Sequence, residues 1–220
     1  MRAILLGKPG SGKGTQARRA AARSGIVVVS SGDLIRQAIA ECTDLGRLFD
    51  HYAQQGLLVP DDLILAVIEE RLGQPDCAEG FLLDGFPRTL VQAQTLEGWL
   101  DQRSRPLQGA LYLEVPDEVL IERAVGRRFC PRDGVSYHLT FAPPKRAGHC
   151  DVCEGALEQR DDDVLTTVAA RLQEYQRKTA PLIAFYAARA LLRTIDGVGP
   201  MQEVEARIID ALGTPSSAPP

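Results

Sequence analysis

The chain has 220 residues, 45% of them hydrophobic, which is enough to bury a full α/β core, and a net charge of −4. That balance offers no global basic field to nucleic acid, and no apolar run approaches the roughly 18 residues of a membrane span, so neither partner is expected. An odd set of five cysteines (42, 77, 130, 150, 153), with no secretory leader, argues against a disulfide framework and for a cytoplasmic protein.

The first apolar run, Ala3 to Leu6, leads into Gly7-Lys8-Pro9-Gly10-Ser11-Gly12-Lys13-Gly14-Thr15 and then an amphipathic segment. Strand, glycine loop and helix in that order form a phosphate-binding loop. The glycines let successive N–H groups converge, and the new helix aims its positive end at the same point. A triphosphate tail suits residues Gly10, Ser11, Gly12, Lys13, Gly14 and Thr15, with Lys13 as the mobile cation for the outer phosphates. Gly14 stands where a hydroxyl residue usually follows the lysine. A first helical turn pressed close to the phosphates is the expected reason, and a direct Thr15 bond to magnesium is in question.

Further apolar runs at Ile26 to Val29, Phe81 to Leu83, Ala110 to Val115 and Leu191 to Ile195 read as buried parallel strands, with helical patterns between them. The alternation predicts an α/β fold: a doubly wound five-stranded parallel sheet with ligands at the carboxyl ends of its strands. Strand two ends in Ser30-Ser31-Gly32-Asp33, with Arg36 five residues beyond Ser31, a pairing that suits a second phosphate. Two or three short helical segments follow, and a core helix begins near Asp61-Asp62 after Pro60.

Strand three ends in Asp84-Gly85-Phe86-Pro87-Arg88-Thr89. Gln92 follows Arg88 at helical i,i+4 spacing, so a guanidinium for phosphate and an amide for a base edge are expected on one face. Asp84 is positioned to orient water on magnesium near the loop. Cys42 and Cys77 read as inert, partly buried thiols. Residues 128–162 lack helical periodicity and carry two pairs, Cys130-Pro131-Arg132-Asp133 and Cys150-Asp151-Val152-Cys153. Three thiolates and a carboxylate at that spacing make an acceptable tetrahedral zinc set. His149 is a strained alternative fourth ligand, and free thiols without metal remain open. A redox Cys150/Cys153 pair lacks its strand-to-helix context, and His138 is assigned to hydrogen bonding within this segment.

Taken in order, these motifs resemble the adenylate kinase family. They are Gly7 to Thr15, Ser31-Gly32-Asp33 with Arg36, Gly56-Leu57-Leu58-Val59-Pro60-Asp61, and Asp84 to Thr89 with Gln92. The series continues through Arg123 to Arg128, Tyr137-His138, Pro143-Pro144-Lys145 and Gln159-Arg160-Asp161-Asp162-Asp163, then Arg171. The likeness is to the long bacterial form, with a nucleoside-monophosphate-binding insertion and a zinc-bearing lid. It implies a monomer that transfers a phosphoryl group from magnesium-bound ATP to AMP, giving two ADP. The same resemblance implies Arg123, Arg127 and Tyr137 for ATP beside the loop, and Ser31, Arg36, Leu57, Val59, Gly85, Arg88 and Gln92 for AMP. It assigns Arg160 and Arg171 to the phosphoryl group in flight, so that Lys13, Arg88, Arg123, Arg160 and Arg171 form the catalytic set. Asp33 joins Asp84 near magnesium, and Cys130, Asp133, Cys150 and Cys153 hold zinc. The implied organisation is a core of residues 1–29, 60–127 and 163–214, a monophosphate insertion at 30–59, a lid at 128–162 and a disordered tail at 215–220. Ser31 replaces the commoner threonine and keeps the hydroxyl. Val164-Leu165-Thr166 replaces a glutamate-rich helix start.

Other readings are weaker. A UMP/CMP acceptor or GTP donor is the nearest alternative, but Gln92 and the Leu57/Val59 segment favour adenine at the acceptor, and smaller-lid relatives lack most of residues 128–162. A zinc-ribbon nucleic-acid module would need more of a stacking platform than Phe129, Tyr137 and Phe141 supply. A GTPase switch would need an Asn-Lys-x-Asp sequence, and none is present.

Overall fold

The computed structural model describes residues 1–54, 59–159 and 165–213. Five strands form one parallel sheet: β1 (Arg2–Leu6), β2 (Val28–Ser30), β3 (Phe81–Asp84), β4 (Gly109–Glu114) and β7 (Leu192–Asp196). Their order is β2-β3-β1-β4-β7. The expected five-stranded α/β sheet is therefore present, each strand lying within two residues of its apolar run. The first strand sits at the centre, with β3 on one side and β4 on the other.

Alternation along the strands divides the core. Ile4, Leu6, Phe81 and Leu83 pack on one face with Ile64 and Ile68 of helix α4 (Asp61–Leu72), Leu96 and Leu100 of α5 (Leu90–Asp101), and Leu182 and Tyr186 of α8 (Pro181–Ala187). Ala3, Leu5, Leu82 and Leu111 face the opposite way, against Ala17 and Ala20 of α1 (Lys13–Ser24) and Val204 and Ile208 of α9 (Met201–Gly213). Strands apolar on both faces are what a doubly covered parallel sheet requires. The remaining helices are α2 (Ser31–Ala40), α3 (Asp44–Gln54), α6 (Asp117–Val125) and α7 (Leu165–Glu174), and a short antiparallel hairpin joins β5 (Arg127–Phe129) to β6 (Ser136–His138).

Two local features differ from the sequence expectation, and a third had none. Arg88 is not on a helix with Gln92: the Phe86–Pro87 bond is cis, and Thr89 caps α5 by accepting the Gln92 N–H at 3.1 Å, so Arg88 lies in the turn ahead of the helix. Cys42 is exposed, at positive φ just past the end of α2, whereas Cys77 is fully buried. Between α7 and α8 the helix widens into a π turn, Tyr175–Thr179, closed by Ala180 N–H to the Tyr175 carbonyl at 2.9 Å. The 215–220 tail lies outside the described residues.

The pair α2 and α3 depends on one small residue. A β-carbon at Gly46 would stand 2.0 Å from the Ala38 carbonyl oxygen, so the two helices approach to a distance only glycine permits. Gly46→Ala should force them apart at a cost of about 1–3 kcal/mol. Amide exchange should accelerate across residues 31–54 and stay unchanged in the sheet. Equal protection in both proteins would show that this contact carries no weight.

Candidate functional site

The carboxyl ends of β1, β2 and β3 open into a cavity of about 260 Å³, lined among others by Lys13, Ser31, Arg36, Arg88, Gln92 and Arg171. Lys13 begins α1, and its ammonium donates to the carbonyls of Gly7 (2.6 Å) and Lys8 (2.9 Å), folding back over the loop. Burial pushes its pKa down to about 8, against the attraction of Asp84, and the positive charges of Arg88 and Arg171 push the same way as burial. Burial likewise raises Asp84, while Lys13 and Arg88 hold it back. A β-carbon at Gly14 would sit 3.2 Å from Asp84 Oδ2, so a carboxylate, rather than only a phosphate, keeps this position bare. Arg123 sits at the other side of the loop, donating to the carbonyls of Ser11 (3.4 Å) and Gly197 (3.2 Å).

Beyond β3, the Gly85 carbonyl accepts from both Ser31 Oγ (2.8 Å) and Arg88 Nε (2.7 Å). Gly85 has φ +76°, and a β-carbon there would stand 2.7 Å from Ser31 Oγ, so only glycine lets the hydroxyl and the guanidinium meet at one carbonyl. Arg88 is fixed again from its main chain: its carbonyl accepts from Thr179 in the π turn at 2.9 Å, and its N–H donates to Gln92 Oε1 at 2.6 Å. Burial, then the nearby Arg171 charge, lowers the Arg88 pKa. Arg36 folds over Gly32 and pairs with Asp33, which also meets Arg18 at 3.3 Å. Although burial opposes ionisation of Asp33, Arg36 and then Arg18 hold its pKa below the usual carboxylate value. Val59 borders the same cavity. Leu57 and Arg160 lie outside the described residues.

The second insertion gathers its own cluster. The donor atoms of Cys130, Asp133, Cys150 and Cys153 lie within 4.8 Å of one another. Asp133 Oδ2 is 3.5 Å from Cys130 Sγ and 3.3 Å from Cys150 Sγ, and Cys130 and Cys153 are 3.5 Å apart at sulfur. Hydrogen bonding to Asp133 pushes the Cys153 thiol up to about 12, since donors this close cannot all carry charge without a cation among them. Zinc bonds of about 2.3 Å to sulfur and 2.0–2.2 Å to oxygen suit a set of this size, so the residues fit the ion. His149 is not part of the set: its Nδ1 meets the Ala147 carbonyl at 2.9 Å.

Tyr137, expected at ATP, turns its side chain into this cluster instead. Its hydroxyl accepts from the Asp151 N–H at 2.7 Å and lies 3.4 Å from Cys150 Sγ, leaving the main chain for any nucleotide contact. The identity of the residue could not reveal this direction; its alternation along β6 opposite Arg128 settles it. Neighbouring His138 accepts at Nδ1 from Thr140 and Phe141 N–H (3.0 and 3.1 Å), so Nε2 carries the proton and faces the Glu122 carbonyl at 3.3 Å. The expected hydrogen bonding of His138 is present.

A family model described as adenylate kinase matches residues 5–191. A curated adenylate kinase of Carboxydothermus hydrogenoformans is 48% identical over 212 residues, 96% of this chain and 99% of that one. The adenylate kinase of Symbiobacterium thermophilum is also 48% identical, covering 96% and 98%, and that of Streptomyces avermitilis is 46% identical, covering 96% and 97%.

A pKa of about 8 at Lys13 has a measurable consequence. An anion favours the charged ammonium, so binding raises that pKa and takes up a fraction of a proton near pH 8.5, and affinity falls as pH rises above 8. Titration calorimetry with inorganic triphosphate in buffers of different ionisation enthalpy should show more proton uptake at pH 8.5 in the parent than in Lys13→Arg, whose charge is fixed, the comparison cancelling the ligand's own ionisation. Equal proton exchange in the two proteins would put Lys13 at its ordinary pKa.

Proposed function

This chain belongs to the adenylate kinase family and is an ATP:AMP phosphotransferase, and from that premise we propose how its own residues divide the work. The phosphoryl acceptor is a phosphate oxygen already ionised at neutral pH, so no general base is required. What remains is to bring two polyanions together in line and to neutralise the charge that spreads over the transferring group. The observation that carries this reading is the convergence of Lys13, Arg36, Arg88 and Arg171 on one cavity. Of the carboxylates there, Glu174 is already paired with Lys178 at 2.6 Å and Arg177 at 2.9 Å. Asp33 pairs with Arg36 and Asp84 attracts Lys13, and two phosphate chains bring the anionic charge that so cationic a cavity suits.

In this assignment Gly10 to Thr15, with Lys13, hold the ATP phosphates. Arg123, Arg127 and the main chain of Tyr137 complete the donor side. Ser31, Arg36, Leu57, Val59, Gly85 and Arg88 hold AMP, with Gln92 reading its base, while Arg160 and Arg171 meet the phosphoryl group between donor and acceptor. The carbonyl of Gly85 supports the AMP side by aiming Ser31 and Arg88 together. Magnesium accompanies ATP in this chemistry and neutralises its outer phosphates. Asp84, coupled to Lys13 and beside Gly14, is the carboxylate suited to its hydration shell, with Asp33 behind it. We also propose that residues 30–59 and 128–162 close over the core of residues 1–29, 60–127 and 163–214 to exclude water. Cys130, Asp133, Cys150 and Cys153 would hold a structural zinc that clips the lid; its contribution is to folding. A cytoplasmic monomer is the accompanying proposal, and no described helix is long and apolar enough to cross a membrane.

Lys13→Ala and Arg88→Ala should each lower kcat by about 100- to 1,000-fold with an unchanged circular dichroism spectrum. A folded variant with a near-normal rate would remove that residue from the machinery. Untagged, reduced and dialysed protein should contain about one zinc per chain by elemental mass spectrometry, and Asp133→Ala should lose it faster to a chelator. Zinc far below stoichiometry, with every thiol open to titration, would mean a lid held by hydrogen bonds alone.

A further inference from the structure

The amide of Gln92 is held at both ends. Its Nε2 donates to Asp61 Oδ1 at 2.7 Å, and its Oε1 accepts from the Arg88 N–H at 2.6 Å. Asp61 is held in turn by Thr89, whose hydroxyl donates to Oδ2 at 3.0 Å and, as the cap of α5, accepts the Gln92 N–H. Gln92 is 2% exposed and borders the cavity.

These partners remove the usual ambiguity of an amide. An ionised carboxylate only accepts and a main-chain N–H only donates. Turning the amide over would place its oxygen against the Asp61 carboxylate and its NH₂ against the Arg88 N–H, breaking two buried hydrogen bonds and creating two repulsions. Each partner uses half of a group: one N–H of two, and one lone pair of two. One N–H and one oxygen lone pair of the amide are left by these partners, and Gln92 borders the cavity.

We infer that Asp61, through the Asp61–Gln92–Arg88 chain, is a specificity-positioning residue that locks Gln92 in the orientation complementary to a 6-amino purine. The inference rests on the proposed role of Gln92 as the base reader. The 6-amino group donates to Oε1 while the ring N1 accepts from Nε2. In the same seat a 6-oxo purine sets its O6 against Oε1 and its N1–H against the amide N–H. A free amide would turn over to suit that base; this one cannot. Selectivity against 6-oxo purine monophosphates therefore belongs to a carboxylate 31 residues away in sequence, which need not touch the base.

The test compares AMP with inosine monophosphate, which differs at the 6-position and N1, as acceptors with ATP as donor. Asp61→Ala should lower kcat/KM for AMP, chiefly through KM, and narrow the AMP:IMP ratio by about tenfold or more. Asp61→Asn, which still offers an acceptor to Gln92, should keep the ratio within a few-fold of the parent. Asp61→Ser, favourable in the first turn of α4 but too short to reach the amide, should behave as Asp61→Ala and replaces it if that variant does not fold. An equal loss for both nucleotides, with the ratio intact, would overturn the inference and leave Asp61 as a support for α4. Gln92→Ala separates the two levels: a collapsed ratio there beside an intact one in Asp61→Ala defeats only the role of Asp61. An intact ratio in Gln92→Ala defeats the base-reading assignment and the inference with it.

Discussion

The site depends first on the register of three parallel strands. Leu5 of β1 lies opposite Asp84 of β3, and Ser30 of β2 pairs with the same Asp84, so three chain segments reach the same edge of the sheet together. Past that edge β1 becomes the glycine loop, β2 becomes the helix that carries Ser31 and Arg36, and β3 becomes the turn that carries Gly85 and Arg88. A slip of one residue in either pairing would turn Asp84 to the opposite face and separate the Gly85 carbonyl from Ser31. Phosphate chemistry is thus positioned by ladders of main-chain hydrogen bonds whose own side chains are apolar and buried on both faces.

Electrostatics then gives this edge its appetite for anions. Burial moves Lys13 down and Asp84 up, opposite directions from one cause, because a desolvated charge of either sign is unfavourable. Their mutual attraction only partly offsets that cost, and the added guanidiniums of Arg88 and Arg171 work against Lys13. Under the proposed assignment, an arriving phosphate would offset the cost of burying these cations, and charge spread over a transferring phosphoryl group would offset it most fully.

Legibility in the sequence followed the range of the interaction. Phe81 to Leu83 and Ala110 to Val115 were readable as strands because full burial on both faces requires continuous apolar runs, a local pattern. Cys130, Asp133, Cys150 and Cys153 were readable because metal-site spacing is also local. Arg88 was misread as helical because its spacing to Gln92 fits a helix, whereas the cap at Thr89 and the preceding cis peptide place it in a turn. Asp61 carried no visible role: its link to Gln92 spans two helices and exists only once the sheet has brought α4 and α5 together. Tyr137 shows the converse, a residue legible by type whose direction was set by strand pairing.

The composition of the described part of residues 128–162 also gives a physical reason for the proposed zinc clip. The lid interior consists of Cys130, Tyr137 and Cys150 with partly buried Val135, Cys153 and Leu157 around them, far too little apolar surface to order a segment of this length. Polar donors therefore replace a hydrophobic core: Asp133 among the sulfurs, and Tyr137 between Cys150 and the Asp151 main chain. At the base of the lid, Leu139 N–H meets the Gly126 carbonyl at 3.0 Å, while His138 reaches the last turn of α6. A β-carbon at Gly126 would collide with the His138 ring at 2.3 Å, so the close seating of the lid on α6 demands glycine there. Under the proposed closure, a segment tied internally by these bonds would keep its shape while its angle to the core changed, and the cysteine cluster would serve the reaction without facing the substrate.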